Sequence, residues 1–155
     1  MRPIRRTLRV AVGVAVLAAA ATAGRVNAGA LKCTAGGGVQ DGRYVQVFCG
    51  PARASLKLGS RTIRFRPGEC RRTKDFTTIT LGTYTVGDPP IAKYIRIVGP
   101  RRDGTTRAGA VTWQLPGASD GIQRAKLTLA GKATRGSFAG RSESGISAQG
   151  SFTCS

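Results

Sequence analysis

The chain has 155 residues, 25 of them Lys or Arg against seven Asp or Glu, and its formal net charge is +18. This charge favours anionic partners, although an Arg-, Ala- and Gly-rich composition can equally produce a basic surface that is simply solvated. The chain has no histidine, which excludes Ser–His and Cys–His catalytic pairs and any zinc site that uses histidine.

Residues 1–28 have the layout of a secretory signal peptide. Arginines precede an apolar run of 14 residues from Val10 to Ala23, and small residues form a cleavage-like exit at Val26-Asn27-Ala28. The run is shorter than the roughly 20 residues that span a bilayer. We therefore predict cleavage before Gly29, a secreted or extracytoplasmic location, and no transmembrane segment in the mature chain.

Two other export signals fit less well. The twin-arginine route is a weaker alternative to ordinary secretion because Ile4, not Ser or Thr, precedes Arg5-Arg6. A lipid anchor is disfavoured because Lys32 precedes Cys33, where a small residue is needed. The leader carries five arginines and no acid, so its removal leaves 127 residues, enough for one domain, with a formal charge of +13.

The four cysteines predict two disulfides, as expected for a small exported protein. Three connectivities are possible, and we favour Cys33–Cys49 with Cys70–Cys154. In the chain-entropy description, the first bond would stabilise the protein by about 3 kcal/mol and the longer loop of the second by about 4.5 kcal/mol. A zinc site is disfavoured because no two cysteines have the C-x-x-C spacing.

Residues 29–42 are rich in glycine and are predicted to be a loose N-terminal arm. Residues 43–155 contain β-branched and aromatic alternation, broken by turn residues every eight to twelve positions. This pattern predicts eight to ten short strands in one all-β domain, either an antiparallel sandwich or a partly closed barrel.

The clearest element is a hairpin with Gly59-Ser60 as its two-residue turn. This turn places Leu56 opposite Ile63 and Ala54 opposite Phe65, so that apolar side chains share one face. A slip of one residue would destroy the match, which fixes the register.

The other strands follow the same alternation. They are predicted at 43–49, 77–81, 91–98, 110–115, 122–130 and 146–154, with loops at 99–104 and 116–121 and a turn at Gly131-Lys132. Gly82 is expected to shift the inward positions to Tyr84 and Val86 through a bulge. Trp113 is expected in the core.

The sequence offers no convincing reaction centre. Most carboxylates lie in predicted turns, where they bond to the local backbone. Glu69 with Asp75 is the only pair worth testing for glycosidase-type chemistry, and no window holds enough acids for a calcium loop. We therefore expect a non-enzymatic protein without a cofactor or bound metal.

The basic residues suggest an anion-binding site. The hairpin register places Arg53, Arg64 and Arg66 on one face, with Arg53 opposite Arg66, and three more cations follow, so the predicted site comprises Arg53, Arg64, Arg66, Arg71, Arg72 and Lys74. Arg101, Arg102 and Arg107 form a second cluster. The aromatic residues mostly fall at core positions, so stacking on bases is not expected. Binding would be electrostatic and salt-sensitive, with no sequence-specific recognition of nucleic acid.

The chain end, from Gly145 through Phe152-Thr153-Cys154-Ser155, together with Val47-Phe48-Cys49 and the following strand, resembles small exported β-proteins of high-GC Gram-positive bacteria. The mycobacterial lipoprotein-antigen type, which also ends in Thr-Cys-Ser, is one example. The resemblance implies a surface-exposed β-fold without assigned catalytic activity. This chain differs in lacking a lipidation cysteine and in having two extra cysteines and a basic surface.

Taken together, these features predict a secreted basic β-domain that associates with anionic polymers of the cell envelope. The alternative is a protein-binding module, such as an inhibitor of an extracellular hydrolase, that presents the loops at 99–104 and 116–121. The oligomeric state is open.

Overall fold

A computed structural model describes residues 36–40 and 42–155 of the protein. This part of the chain contains strands and turns but no helix, and thus none that could cross a membrane. The predicted signal peptide and Cys33 lie outside the described residues. The strands are β1 (Gly36–Gln40), β2 (Arg43–Val47), β3 (Arg53–Leu58), β4 (Arg61–Phe65), β5 (Gly68–Arg72), β6 (Phe76–Thr85), β7 (Tyr94–Pro100), β8 (Gly104–Leu115), β9 (Ala118–Ala130), β10 (Arg135–Arg141) and β11 (Ser147–Thr153).

The strands form one antiparallel sheet in the order β1-β2-β6-β7-β8-β9-β10-β11-β3-β4, with β5 also paired to β6. The prediction of an all-β antiparallel fold is confirmed, and the sheet is not closed into a barrel. The segment before β3 approaches β5, because the Ala52 amide donates to the Gly68 carbonyl over 3.0 Å. This contact brings the β3–β4 hairpin next to the β5–β6 pair.

The apolar residues form one core because side chains alternate between the two faces of each strand, which places the apolar ones inward. The predicted hairpin register is confirmed, with Leu56 opposite Ile63 and Ala54 opposite Phe65, and all four side chains are buried. They join inward residues of β6 through β11 in one apolar cluster. Trp113, with 3% of its surface exposed, lies in this core as predicted.

The bend at Gly82 differs from the prediction. Thr85 is buried whereas Val86 is 49% exposed, so the inward positions do not move to Tyr84 and Val86. Gly82 instead marks a change of partner, since β6 pairs with β5 before it and with β2 after it. Its φ of +86° and the 2.2 Å between an added Cβ and the Lys93 carbonyl oxygen explain why glycine is required.

Several boundaries also differ from the prediction. The expected loops at 99–104 and 116–121 are tight turns at 101–103 and 116–117, because the flanking strands extend further. Residues 36–40 of the expected arm form β1, which pairs with β2. Ile146 precedes the last strand and is exposed, not inward. Strand β10 was not predicted.

One predicted disulfide is confirmed. Cys70 and Cys154 are bonded, with their Cα atoms 5.7 Å apart, and the bond ties β5 to the residue after β11. Cys49 is not a free thiol. Its predicted partner, Cys33, lies outside the described residues.

Candidate anion-binding surface

A row of hydroxyl side chains crosses the outer face of five neighbouring strands. Cross-strand pairing aligns Ser55 of β3 with Ser151 of β11, Ser137 of β10, Thr128 of β9 and Thr105 of β8. The Ser55 and Ser151 hydroxyls lie 3.0 Å apart, and those of Thr105 and Thr128 lie 3.3 Å apart. We call these five residues the hydroxyl row.

Cations lie on both sides of the hydroxyl row. On one side, Arg53 and Arg135 both stand opposite Thr153. On the other side, Lys57 stands opposite Gln149, and Lys126 occupies the same face of β9 two residues from Thr128. Because alternate residues of a strand are about 6.6–6.8 Å apart on one face, positive charge lies within one side-chain length of the row on each side.

Two shallow depressions meet on this face. One, of about 410 Å³, is lined by Arg53, Arg64 and Arg66, and the other, of about 490 Å³, is lined by Lys57 and Lys126. Both include Ser55 and Ser151, so they form one continuous surface. Among the described residues that line them, none is acidic. We call the surface formed by the hydroxyl row and Arg53, Lys57, Arg64, Arg66, Lys126 and Arg135 the basic face.

The structure brings together three of the six residues predicted to bind anions. Arg53, Arg64 and Arg66 line the same depression, although the hairpin pairing ends at Phe65 and Arg53 therefore has no paired arginine opposite it. The other three belong to β5 and the turn after it, and are exposed there: Arg71, Arg72 and Lys74.

Arg71 lines a different depression, together with Glu69. Its guanidinium lies 3.6 Å from the Glu69 carboxylate, the only ion pair within residues 36–40 and 42–155. A neighbouring carboxylate reduces the local positive potential, so Arg71 is less suited to an anion than the three arginines of the basic face.

Sequence reasoning missed Lys57, Lys126 and Arg135 as members of this surface. Arg135 was missed because β10 lacks the β-branched residues that typically indicate a strand. Lys57 and Lys126 were missed because only long-range pairing through β10 and β11 brings β3 and β9 onto one surface. The alternation of β10 was nevertheless visible, since Phe138 is buried between the outward Ser137 and Ala139. Recognition of β10 would have placed Arg135 beside Thr153.

Two carboxylates elsewhere hold turns together. Asp120 accepts hydrogen bonds from the Gly121 amide over 2.7 Å and from the Ser144 hydroxyl. Burial alone would raise the pKa of Asp120, but these bonds and one from Ser142 outweigh it and place the pKa below its ordinary value. Asp103 accepts from the Ala133 amide over 2.9 Å, and the bonds from the Ala133 and Lys132 amides lower its pKa.

These carboxylates therefore stabilise local backbone geometry. The part of the chain that the structure describes contains no group of three or more Cys, Asp or Glu side chains placed to hold a metal ion.

No family model, curated protein or solved structure matches the chain. Functional inference therefore depends on the surface chemistry of this chain.

Proposed function

We propose that the protein is a non-enzymatic β-domain, exported after loss of residues 1–28, that binds anionic polymers of the cell envelope through the basic face. In this proposal the strands pack around one core as a sandwich or a partly closed barrel. The observation that carries the proposal is a hydroxyl row with cations on both sides and no carboxylate among the residues lining its two depressions.

The chemistry of the basic face suits phosphate, sulfate or carboxylate groups. Arg53, Arg64 and Arg66 can each donate two parallel hydrogen bonds to an oxyanion. The hydroxyls of Ser55 and Ser151 add neutral donors between the cations. Because these groups are exposed, binding would be weak individually and strongly reduced by salt.

The spacing favours a polymer over a single small anion. The hydroxyl row crosses from β3 to β8, and strands lie about 4.8 Å apart, so it extends roughly 19 Å. A lone phosphate can contact only one or two of the cations at once. A chain of repeated anionic groups can contact cations on several strands together, which raises its overall affinity.

Retention on immobilised heparin across a sodium chloride series tests the proposal. The variant Arg53→Ser/Arg64→Ser/Lys126→Ser should elute at clearly lower salt than the parent protein. Each side chain is exposed, so the fold should be retained, which circular dichroism would verify. Flow-through of the parent protein at low ionic strength would refute the proposal.

A matched control separates the basic face from net charge. Arg102→Ser/Arg72→Ser/Lys93→Ser also removes two arginines and one lysine, all exposed and outside both depressions. It should elute close to the parent protein. Equal losses in the two variants would mean that net charge alone governs retention, and the basic face would not be a site.

The alternative protein-binding module gains no support from the described residues. The segments expected to present loops, 99–104 and 116–121, form turns of three and two residues between long strands. Such turns offer little surface to a partner.

A further inference from the structure

A second concave surface is formed by strands that, apart from β8, do not contribute to the basic face. It has a volume of about 580 Å³, within the size range of small-molecule sites, and is formed by β2, β5, β6, β7 and β8. Aromatic and charged side chains line it together: Phe48, Tyr84, Tyr94, Glu69, Arg71 and Arg96. We call this surface the aromatic groove.

The three aromatic rings form a cluster separate from the main apolar core. The Tyr84 and Tyr94 rings meet edge to face with centroids 5.0 Å apart, and Phe48 lies 5.7 Å from Tyr94. Tyr94 is 8% exposed, whereas Phe48 and Tyr84 are only half-buried. Most aromatic residues of the chain are buried, as expected, but Phe48 and Tyr84 keep part of their ring surface open to a ligand.

The close approach of β6 and β7 at Gly82 positions this cluster. Gly82 stands opposite Tyr94, and Tyr84 follows two residues later on β6. Burial raises the pKa of the Tyr94 phenol. The charge of Arg96 lowers this pKa and Tyr84 raises it, but burial has the largest effect. The Tyr94 phenol therefore stays protonated and remains a hydrogen-bond donor at neutral pH.

The polar side chains of the aromatic groove carry both signs of charge. Cross-strand pairing aligns Glu69 with Thr80, Thr80 with Arg96, and Arg96 with Thr112. This row presents a carboxylate acceptor, a guanidinium donor and two hydroxyls side by side. Glu69 already has Arg71 beside it, so the groove holds no dense field of one sign. Uncharged hydroxyl groups can donate to Glu69 and accept from Arg96.

The aromatic groove continues into a neighbouring depression of about 360 Å³ through Tyr84, Tyr94 and Thr112. The added surface supplies further polar groups, including Gln123 and Glu143. The continuity provides room for more than one ring of a ligand.

We propose that the aromatic groove binds an uncharged oligosaccharide. The apolar C–H face of a pyranose ring would pack on the half-buried rings of Tyr84 and Phe48. The ring hydroxyls would bond to Glu69 and Arg96. This site does not depend on the basic face, and its ligand would be insensitive to salt because it carries no charge.

Titration with cellohexaose, maltohexaose and the hexamer of N-acetylglucosamine tests this inference. Trp113, the only tryptophan of the chain, lines the neighbouring depression and serves as a fluorescent reporter. At least one sugar should bind saturably below about 1 mM. The dissociation constant should be unchanged in about 0.5 M sodium chloride, where charge–charge attraction is screened.

Two variants assign the binding to the aromatic groove. Tyr84→Ala and Arg96→Ser should each weaken it at least tenfold, and Arg64→Ser/Lys126→Ser on the basic face should leave it unchanged. Arg96 is exposed, so Arg96→Ser should fold. This variant tests binding at the aromatic groove if Tyr84→Ala fails to fold. The inference is wrong if none of the three sugars binds, if salt abolishes binding, or if Arg96→Ser binds like the parent protein.

Discussion

The basic face and the aromatic groove are built by the same antiparallel pairing but differ in side-chain chemistry. Across the basic face, small hydroxyl residues lie between cations, and the described residues lining its depressions include no acid. Across the aromatic groove, Glu69 and Arg96 stand on either side of Thr80, and tyrosine rings replace small residues. One antiparallel sheet therefore carries two surfaces of different side-chain chemistry.

The two regions also differ in regularity. The pairing of β10 with β11 and of β11 with β3 runs without interruption through seven and six residue pairs. Around the aromatic groove, β6 changes partner at Gly82, and the buried Thr77 hydroxyl has no hydrogen-bond partner within the described residues. Regular pairing of β10, β11 and β3 underlies most of the basic face, and the β8–β9 pair shifts register only after Thr106. The aromatic groove lies where β6 changes its strand partner.

Removal of the Cys70–Cys154 bond should lower the free energy of unfolding more than the other changes. The bond ties β5, which helps to form the aromatic groove, to the residue after β11, a strand of the basic face. Cys70→Ala/Cys154→Ala should lower the free energy of unfolding by about 3–4.5 kcal/mol through loss of loop closure. Urea denaturation measures this. Stability equal to that of the parent protein would show that the two regions do not need the covalent link.

Gly150→Ala should be the next most damaging change. An added Cβ would lie 2.0 Å from the Ser55 carbonyl oxygen and 2.4 Å from the Phe138 ring, so β11 and β3 would have to move apart. We expect a loss of about 2–3 kcal/mol in thermal or urea unfolding. Gly38→Ala in β1 is the matched control, since an added Cβ meets nothing within 4 Å there. Similar losses for both variants would contradict tight packing under the basic face.

Thr77→Val should stabilise the irregular half of the sheet. The Thr77 side chain is 1% exposed, and its hydroxyl has no hydrogen-bond partner in residues 36–40 and 42–155. Replacing the hydroxyl with a methyl group of similar size should raise the free energy of unfolding by about 1 kcal/mol. The same change at the exposed Thr62 of the basic half should have little effect. A destabilised Thr77→Val variant would mean that the hydroxyl is satisfied in solution.

Acid should weaken the protein partly through Asp120. Its pKa is lower in the folded than in the unfolded state, so its contribution to stability is present above pH 4 and is lost as the pH falls through the folded-state pKa. Asp120→Ala should cost about 1 kcal/mol at pH 7 and less at pH 3. Thermal unfolding at both values measures the difference. An equal cost at pH 7 and pH 3 would contradict a role for the charged carboxylate.

The sequence predicted features that depend on neighbouring residues. The hairpin register followed from Gly59-Ser60 and the alternation on either side of it, and burial of Trp113 followed from the period of its strand. Both signals are local, since side chains alternate across a strand whatever its partner.

Features that depend on long-range pairing could not be predicted in the same way. The basic face requires β11 to lie beside β3, although Ser55 and Ser151 are 96 residues apart. The aromatic groove requires β6 to exchange β5 for β2 at Gly82, and Gly82 alone does not indicate which strands lie on either side. Composition indicated a cationic protein, but strand order decides which cations share a surface.

The position of β4 at one end of the strand order has a consequence for self-association. An edge strand with free backbone groups invites strand addition from another copy, and charged residues and proline oppose it. β4 is five residues long, contains the exposed Arg61 and Arg64, and is followed by Pro67. The same charge that would attract a polymer under the proposed function thus also opposes association of copies of the protein. A polymer that neutralises Arg64 removes part of this protection, so fully loaded protein should be more prone to fibril-like assembly than the free protein.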